Sequence, residues 1–416
     1  MDGKELLPHL FRTEYQKMVS VLGSLFGIEH IEQAEDIVSD TFLAATESWS
    51  AKGLPENPTA WLYAVAKNKT KNWLKRNTFF QQKLLSDLRY NLPEGEEIEI
   101  EIDLSARNIT DSQLAMIFAV CHPVIPAESQ VALALNLLCG FGTQEIADAY
   151  LTTKTVIYKR LSRAKEKLKE AGIKIRQLTF TEINDRLETV LKTLYLLFSE
   201  GYYSTSHNTV LRKDLCVEAM RLNYLLIEQP QTNQPAVNAL LALMCFHASR
   251  FDARVNDTGE MILYQEQDET RWNRELIERG EYYLNQAGNS SALTRYHLEA
   301  AIAWWHTHKE DSSEKWNNIL DLYNQLLILE YSPIAALNRT YAIAKARSKQ
   351  EAITAAERLQ LTDNYFYYAL LGNLYTDIDD KKAVQHYETA LKMATTPADI
   401  ALIEKNIGQI KHRLNN

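Results

Sequence analysis

TQEIADAYLTTKTVIYKRLSRAKEKLK, residues 143–169, is the stretch on which the reading of this chain turns. It predicts two short helices joined by a tight turn, the second of them strongly basic. Ile146, Ala147 and Tyr150 share one face of the first helix. Val156, Ile157, Leu161, Ala164 and Leu168 recur at helical spacing along the second. The other face of that second helix carries Lys154, Lys159, Arg160, Arg163, Lys165, Lys167 and Lys169. Such a pair can seat its apolar stripe on a small helical domain and offer the basic face to a DNA major groove. There phosphates supply affinity and base edges supply specificity. The competing interpretation is a solvated basic face on an ordinary helix, and the rest of the chain weighs against it.

At 416 residues the chain is expected to hold two or three domains. No run approaches 18 uninterrupted apolar residues, and MDGKELLPHL lacks the order of a signal peptide, so a cytoplasmic location and no membrane partner are expected. Cys121, Cys139, Cys216 and Cys245 lie far apart with no Cys-x-x-Cys pair, which argues for buried thiols rather than a zinc cluster or a disulfide framework. The net charge of -9 conceals clustering: residues 1–178 hold 21 basic and 23 acidic side chains, and residues 179–416 hold 24 and 31. Two basic patches, at 67–76 and 154–169, are separated by an acidic run at 94–103. That is the footprint of a nucleic-acid binder, in segments.

Upstream of the basic helix pair, residues 5–27 read as an amphipathic helix, apolar at Leu6, Leu10, Tyr15, Met18, Val19, Leu22, Leu25 and Phe26. A second helix over 31–50 buries Ala34, Ile37, Val38, Thr41, Phe42, Ala45 and Trp49 and exposes acids. The breaker-rich AKGLPENPT ends it, and Thr59 is the expected cap of a third, basic helix through Arg76 in which Trp61 and Trp73 pack. Residues 78–110 read as an acidic linker, followed by apolar helices over 111–120 and 126–139 bounded by Pro123 and Pro126.

From about residue 180 helical periodicity continues almost unbroken. Leu371, Gly372 and Tyr375 follow Leu337, Asn338 and Tyr341 by 34 residues, the period of a tetratricopeptide repeat, and Ala383, Tyr387, Ala390 and Pro397 fit that pattern. Residues 292–307 and 314–330 keep the helix lengths. A generic helical domain is the alternative. Between them, Arg250, Asp252, Arg254, Glu266, Gln267, Asp268, Arg271 and Trp272 form a dense polar set. With no nucleophile beside a base, no metal spacing and no phosphate loop, it reads as buried Arg–carboxylate pairing between helices, not as an active site. His247, His297, His306 and His308 lack ligand spacing. No enzyme, cofactor or metal is expected.

AEDIVSDTFLAATESW, the loop GLPENPTAWL and AVAKNKTKNWLKR closely resemble region two of extracytoplasmic-function sigma factors, the promoter-recognition subunits of bacterial RNA polymerase. The helix pair downstream resembles sigma region four. The resemblance implies an all-α protein: a region-two domain at 1–77, a linker at 78–110, a region-four helix-turn-helix domain at 111–176, and a helical extension with repeats like the tetratricopeptide kind at 177–416. It implies core RNA polymerase as partner of Glu35, Asp36 and Asp40. Asn57, Lys67, Asn68, Lys71, Asn72, Lys75 and Arg76 would then meet the -10 element and its melted strand, with Asn57 reading a flipped base. Lys154, Thr155, Tyr158, Lys159, Arg160 and Arg163 would meet double-stranded -35 DNA. The linker acids Glu94, Glu96, Glu97, Glu99, Glu101 and Asp103 would mimic an RNA backbone. Asn72 departs from the family's usual Asp. The extension, which resembles that of a sigma-factor subgroup, is expected to pack on the sigma domains or to receive a protein partner. Two alternatives are a one-component helix-turn-helix regulator with a sensing or dimerising domain and a repeat scaffold.

Overall fold

The computed structural model describes residues 3–77, 102–150, 152–203, 209–254, 262, 264–288, 292–394 and 397–415. Regular structure among the described residues is entirely helical. The chain divides into two compact units, residues 1–201 with 210–232 and residues 202–209 with 233–416.

The first unit is built around α1 (Gly3–Phe26). A surface helix would leave one face polar and wet, yet every residue from Met18 to Gly23 is buried. α1 packs against α2 (Ile31–Lys52) and α3 (Pro58–Arg76), and also against α4 (Ala106–Val120). At Gly23 a Cβ would lie 2.7 Å from both Ile31 Cδ1 and Met116 Cε, so glycine lets α2 and α4 close on one backbone. The α2 stripe is the one the periodicity predicts, with Ala34, Ile37, Val38, Thr41, Phe42, Ala45 and Trp49 all buried. Trp61 and Trp73 are half-buried, Trp61 5.5 Å from the Trp49 ring and Trp73 5.0 Å from Phe26.

Two helix starts differ from expectation. The cap of α3 is Asn57, not Thr59: its Oδ1 accepts the Ala60 N–H at 3.0 Å, and Pro58, which has no N–H to satisfy, takes the first helical position. α4 begins at Ala106, five residues ahead of the expected start, because Ser105 caps it through Asn108 N–H and Asp103 Oδ1 accepts the Ser105 N–H at 2.8 Å. Asp103 therefore serves as a local turn former. Glu94, Glu96, Glu97, Glu99 and Glu101 lie outside the described residues.

α5 (Ala127–Leu133) runs into a π-helical turn (Ala134–Leu138), then α6 (Thr143–Ala149) and α7 (Lys154–Glu170) follow. α8 (Phe180–Tyr203, assigned to this unit as far as Gly201) and α9 (Thr209–Glu228) complete the unit. They close the open helix ends beneath them. The Arg186 guanidinium donates to Phe118 O, near the C-terminus of α4, and Arg221 donates to Leu138 O at 2.8 Å, at the end of the π turn. Carbonyls in a last helical turn lack intrahelical donors and favour cations, so both contacts meet a standing need. Thr193 donates to Gln130 Oε1 at 2.7 Å. The boundary expected at 176 thus falls inside a compact unit that runs to 232.

In the second unit α10 (Pro235–Ser249) is buried nearly throughout and packs against α11 (Arg274–Ala287) and α12 (Arg295–Trp305). α13 (Ser313–Leu329), α14 (Pro333–Ala346), α15 (Lys349–Glu357), α16 (Tyr365–Tyr375), α17 (Asp380–Met393) and α18 (Pro397–Asn415) follow, each helix packing on the next. Ser312, Ser332, Ser348, Asn364 and Asp379 cap five of them through side-chain oxygens. A Cβ at Gly372 would lie 2.7 Å from the Tyr387 ring, so glycine lets α16 and α17 pack closely there. The four thiols are free; Cys121, Cys216 and Cys245 are buried, and burial pushes Cys121 and Cys245 up to about 12. Among the described residues no helix is long and apolar enough to cross a membrane.

Truncation tests the unit boundary. Residues 1–232 are expected to melt in one cooperative transition. Residues 1–176, stripped of buried Leu187, Val190, Leu191, Leu194, Leu197 and Phe198, are expected to lose about 3 kcal/mol or more and to melt roughly 10 °C lower. Equal melting temperatures by circular dichroism would contradict this packing.

Candidate polymerase and nucleic-acid interface

α2 carries its acids on the face opposite its apolar stripe. Asp36 and Asp40 are exposed, and Leu43 and Glu47 continue the same face at helical spacing. Leu43 is 58% exposed, an apolar side chain among acids that sequence periodicity does not single out. Asp40 lies 3.8 Å from Lys69 on α3, a surface pair of little energetic weight. Glu35 differs from its neighbours. It is only 23% exposed and bonds Lys165 of α7, itself 17% exposed, at 3.1 Å.

The loop and α3 present a second set. Asn57 spends its Oδ1 on the helix cap, which leaves its amide nitrogen, a donor, for any base. Asn68, Asn72, Lys75 and Arg76 are exposed along one side of α3, with half-buried Lys67 and Lys71 beside them. Tyr63 Oη donates to Glu14 at 2.5 Å and ties α3 to α1, so the basic face is held at a fixed rotation.

On α7, Thr153 caps the helix and Ile157, Leu161, Ala164 and Leu168 form the buried stripe. Val156 does not join it: the residue is 45% exposed, because one step along a helix turns it about 100° from Ile157. Lys154, Thr155, Tyr158, Lys159 and Arg163 are exposed. Arg160 is half-buried, 3.3 Å from Glu128 and over the Tyr150 ring at 5.5 Å, so it braces α7 on α5 and α6. The three proposed residue groups therefore all lie in the first unit, and Glu35 with Lys165 links the first group to the helix of the third.

Residues 10–80 match the family model for Sigma-70 region 2. The N-terminal part of the chain is thus similar to a Sigma-70 region 2 domain. Such a domain supports a sigma factor family and a role in transcription initiation, with core RNA polymerase and promoter DNA as partners. Residues 186–288 match a family of unknown function, DUF6596, whose span crosses from the first compact unit into the second. An uncharacterized protein of Rhizobium meliloti (strain 1021) is 29% identical over 389 residues, covering 92% of this chain and 90% of that protein. The likeness thus runs through the region 2 domain and both compact units.

In the second unit's polar set, Arg250 and Arg254 both lie against aromatic rings. Arg250 lies over the Tyr264 ring at 5.3 Å and has no carboxylate among the described residues. Arg254 stacks 3.7 Å from the Tyr202 ring centre and donates to Tyr202 O at 3.2 Å. Asp268 caps a single short helical turn and Asn273 caps α11. Among the described residues no group of His, Cys, Asp and Glu is placed to hold a metal.

Two measurements follow from these contacts. In a double-mutant cycle with Glu35→Gln and Lys165→Met, urea unfolding is expected to show about 1 kcal/mol of coupling, and additive effects would deny the pair. His306 supplies a pH dependence. Burial, aided by Arg250 and Lys315, pushes its imidazole down to about 3, whereas an unfolded chain titrates near 6.5. The unfolded state binds the extra proton, so this contribution is complete above about pH 6.5 and falls away as the pH drops toward 3. By pH 5 the loss amounts to about 2 kcal/mol, and His306→Gln is expected to flatten the stability profile between pH 6.5 and 4.5.

Proposed function

We propose that the chain is a sigma factor of the extracytoplasmic-function kind, which binds core RNA polymerase and directs it to particular promoters, with its C-terminal helical part regulating that activity. The observation that carries this reading is the arrangement inside the region 2 domain: an exposed acidic face on α2, an Asn57-capped loop, and an exposed basic and amide face on α3. In this reading Asp36 and Asp40, with Leu43 between charges, dock on a basic polymerase surface. Asn57, Lys67, Asn68, Lys71, Asn72, Lys75 and Arg76 hold the melted -10 strand. Lys154, Thr155, Tyr158, Lys159 and Arg163 face the -35 groove, while Arg160 positions α7.

Geometry adds a regulatory consequence. A compact unit of this length is about 45 Å across. Duplex DNA rises about 3.4 Å per base pair, so two elements more than about 13 base pairs apart exceed that span. The α3 and α7 faces of one compact unit would not meet both of two such elements at once, and reading them together would require α4–α7 to leave α1. Opening would also release Glu35 from Lys165, freeing one candidate contact for polymerase and one cation for phosphate. The DUF6596 segment begins within the helix whose arginine braces α4, which supports a coupling between the extension and this opening.

In vitro transcription with core polymerase tests the proposal. Asp36→Arg combined with Asp40→Arg exchanges attraction for repulsion at an exposed face and is expected to leave the melting temperature within about 2 °C while reducing core binding at least tenfold. Undiminished core affinity, or a wild-type chain that yields no promoter-specific transcript, would count against the assignment.

A further inference from the structure

Four side chains from separate segments of the second unit converge on Tyr264. Arg250 follows the last turn of α10 and lies over the ring at 5.3 Å. Lys315, in the first turn of α13, lies over the same ring at 5.1 Å and donates to Tyr264 Oη at 3.0 Å and to His308 O at 2.5 Å. His306, at the end of α12, meets the ring edge-on at 5.2 Å. Trp272, just ahead of α11, stacks beside it at 6.3 Å, and Trp316 closes on His306 at 5.9 Å.

Among the described residues the charges there do not balance. Arg250 is 8% exposed and Lys315 2%, and neither forms an ion pair. Asp311 and Glu269 favour the charged Lys315 only from a distance: Asp311 is held by Lys345 at 2.9 Å and by the Trp316 indole, and Glu269 forms no ion pair with either cation. Buried cations are ordinarily paired. The hydrogen-bond inventory is also incomplete. Arg250 Nε, Trp272 Nε1 and His306 Nδ1 are buried without a partner. The first two are obligate donors, and the third becomes one if the imidazole carries its proton there. A tyrosine face attracts a cation but accepts no such set of N–H bonds. An oxyanion does both, since it carries negative charge and only lone pairs.

We infer that Arg250, Lys315, His306 and Trp272 around the Tyr264 ring form a binding site for the oxyanion group, carboxylate or phosphate, of a small ligand. The site lies wholly in the second unit, and no role in transcription is needed for it to exist.

The full-length chain can be titrated with inorganic phosphate and, separately, with citrate, while sodium chloride holds the ionic strength constant. Tryptophan fluorescence and melting temperature are the readouts, because Trp272 and Trp316 border the site. A saturable fluorescence change and a rising melting temperature are expected with at least one anion. A response to phosphate alone assigns a phosphate ligand, and a response to citrate alone a carboxylate. Arg250→Gln is expected to weaken the apparent Kd by about tenfold or more. Trp272→Phe keeps the ring, removes the N–H, and is expected to weaken it by about threefold or more; it decides the matter if Arg250→Gln fails to fold. No response beyond that of chloride, or an unchanged Kd in the folded variants, would overturn the site.

Discussion

The first unit depends on a helix whose C-terminal half holds a stretch with no exposed face. Met18, Val19, Ser20, Val21, Leu22 and Gly23 are all buried, so α1 belongs equally to the region 2 helices and to α4. Burying a side chain such as Met18 or Leu22 contributes about 1.5–3 kcal/mol, and a helix wet on one side forfeits half of that contact. Any partner that draws α4 away from α1 must therefore cover what it uncovers. Gln16 adds a polar stitch of the same kind, donating to Asn136 O at 3.2 Å across 120 residues of chain.

Much of this was legible in the sequence because periodicity reports burial. The α2 stripe, the α7 stripe apart from Val156, and the run of helices in the second unit all follow from apolar spacing. What spacing cannot report is which polar atom answers which. Thr59 and Asn57 are both good caps, and Pro58 decides between them by fixing the first helical position. Glu35 has the same charge and helix as Asp36, yet a neighbour 130 residues away takes it out of the exposed set. Leu43 escapes notice because an exposed leucine breaks no pattern.

The second unit shows the same limit with larger consequences. Its sequence offers three arginines and six carboxylates over residues 250–272, and pairing them is the natural expectation. The fold turns Asp268 into a local cap, gives Arg254 an aromatic ring, and brings Arg250 and Lys315 to one tyrosine. Composition fixes what is available to pair. Only the path of the backbone fixes what meets.

The buried sulfurs carry a consequence for experiment. A thiol reacts as its thiolate, and burial holds Cys121 near 12, where almost none exists at neutral pH. Cys121 caps the C-terminal end of α4, the helix clasped between α1 and the arginine of α8. In the closed unit it is invisible to an alkylating reagent. Each excursion that lifts α4 would expose it, so the slow loss of that thiol would count openings of the first unit.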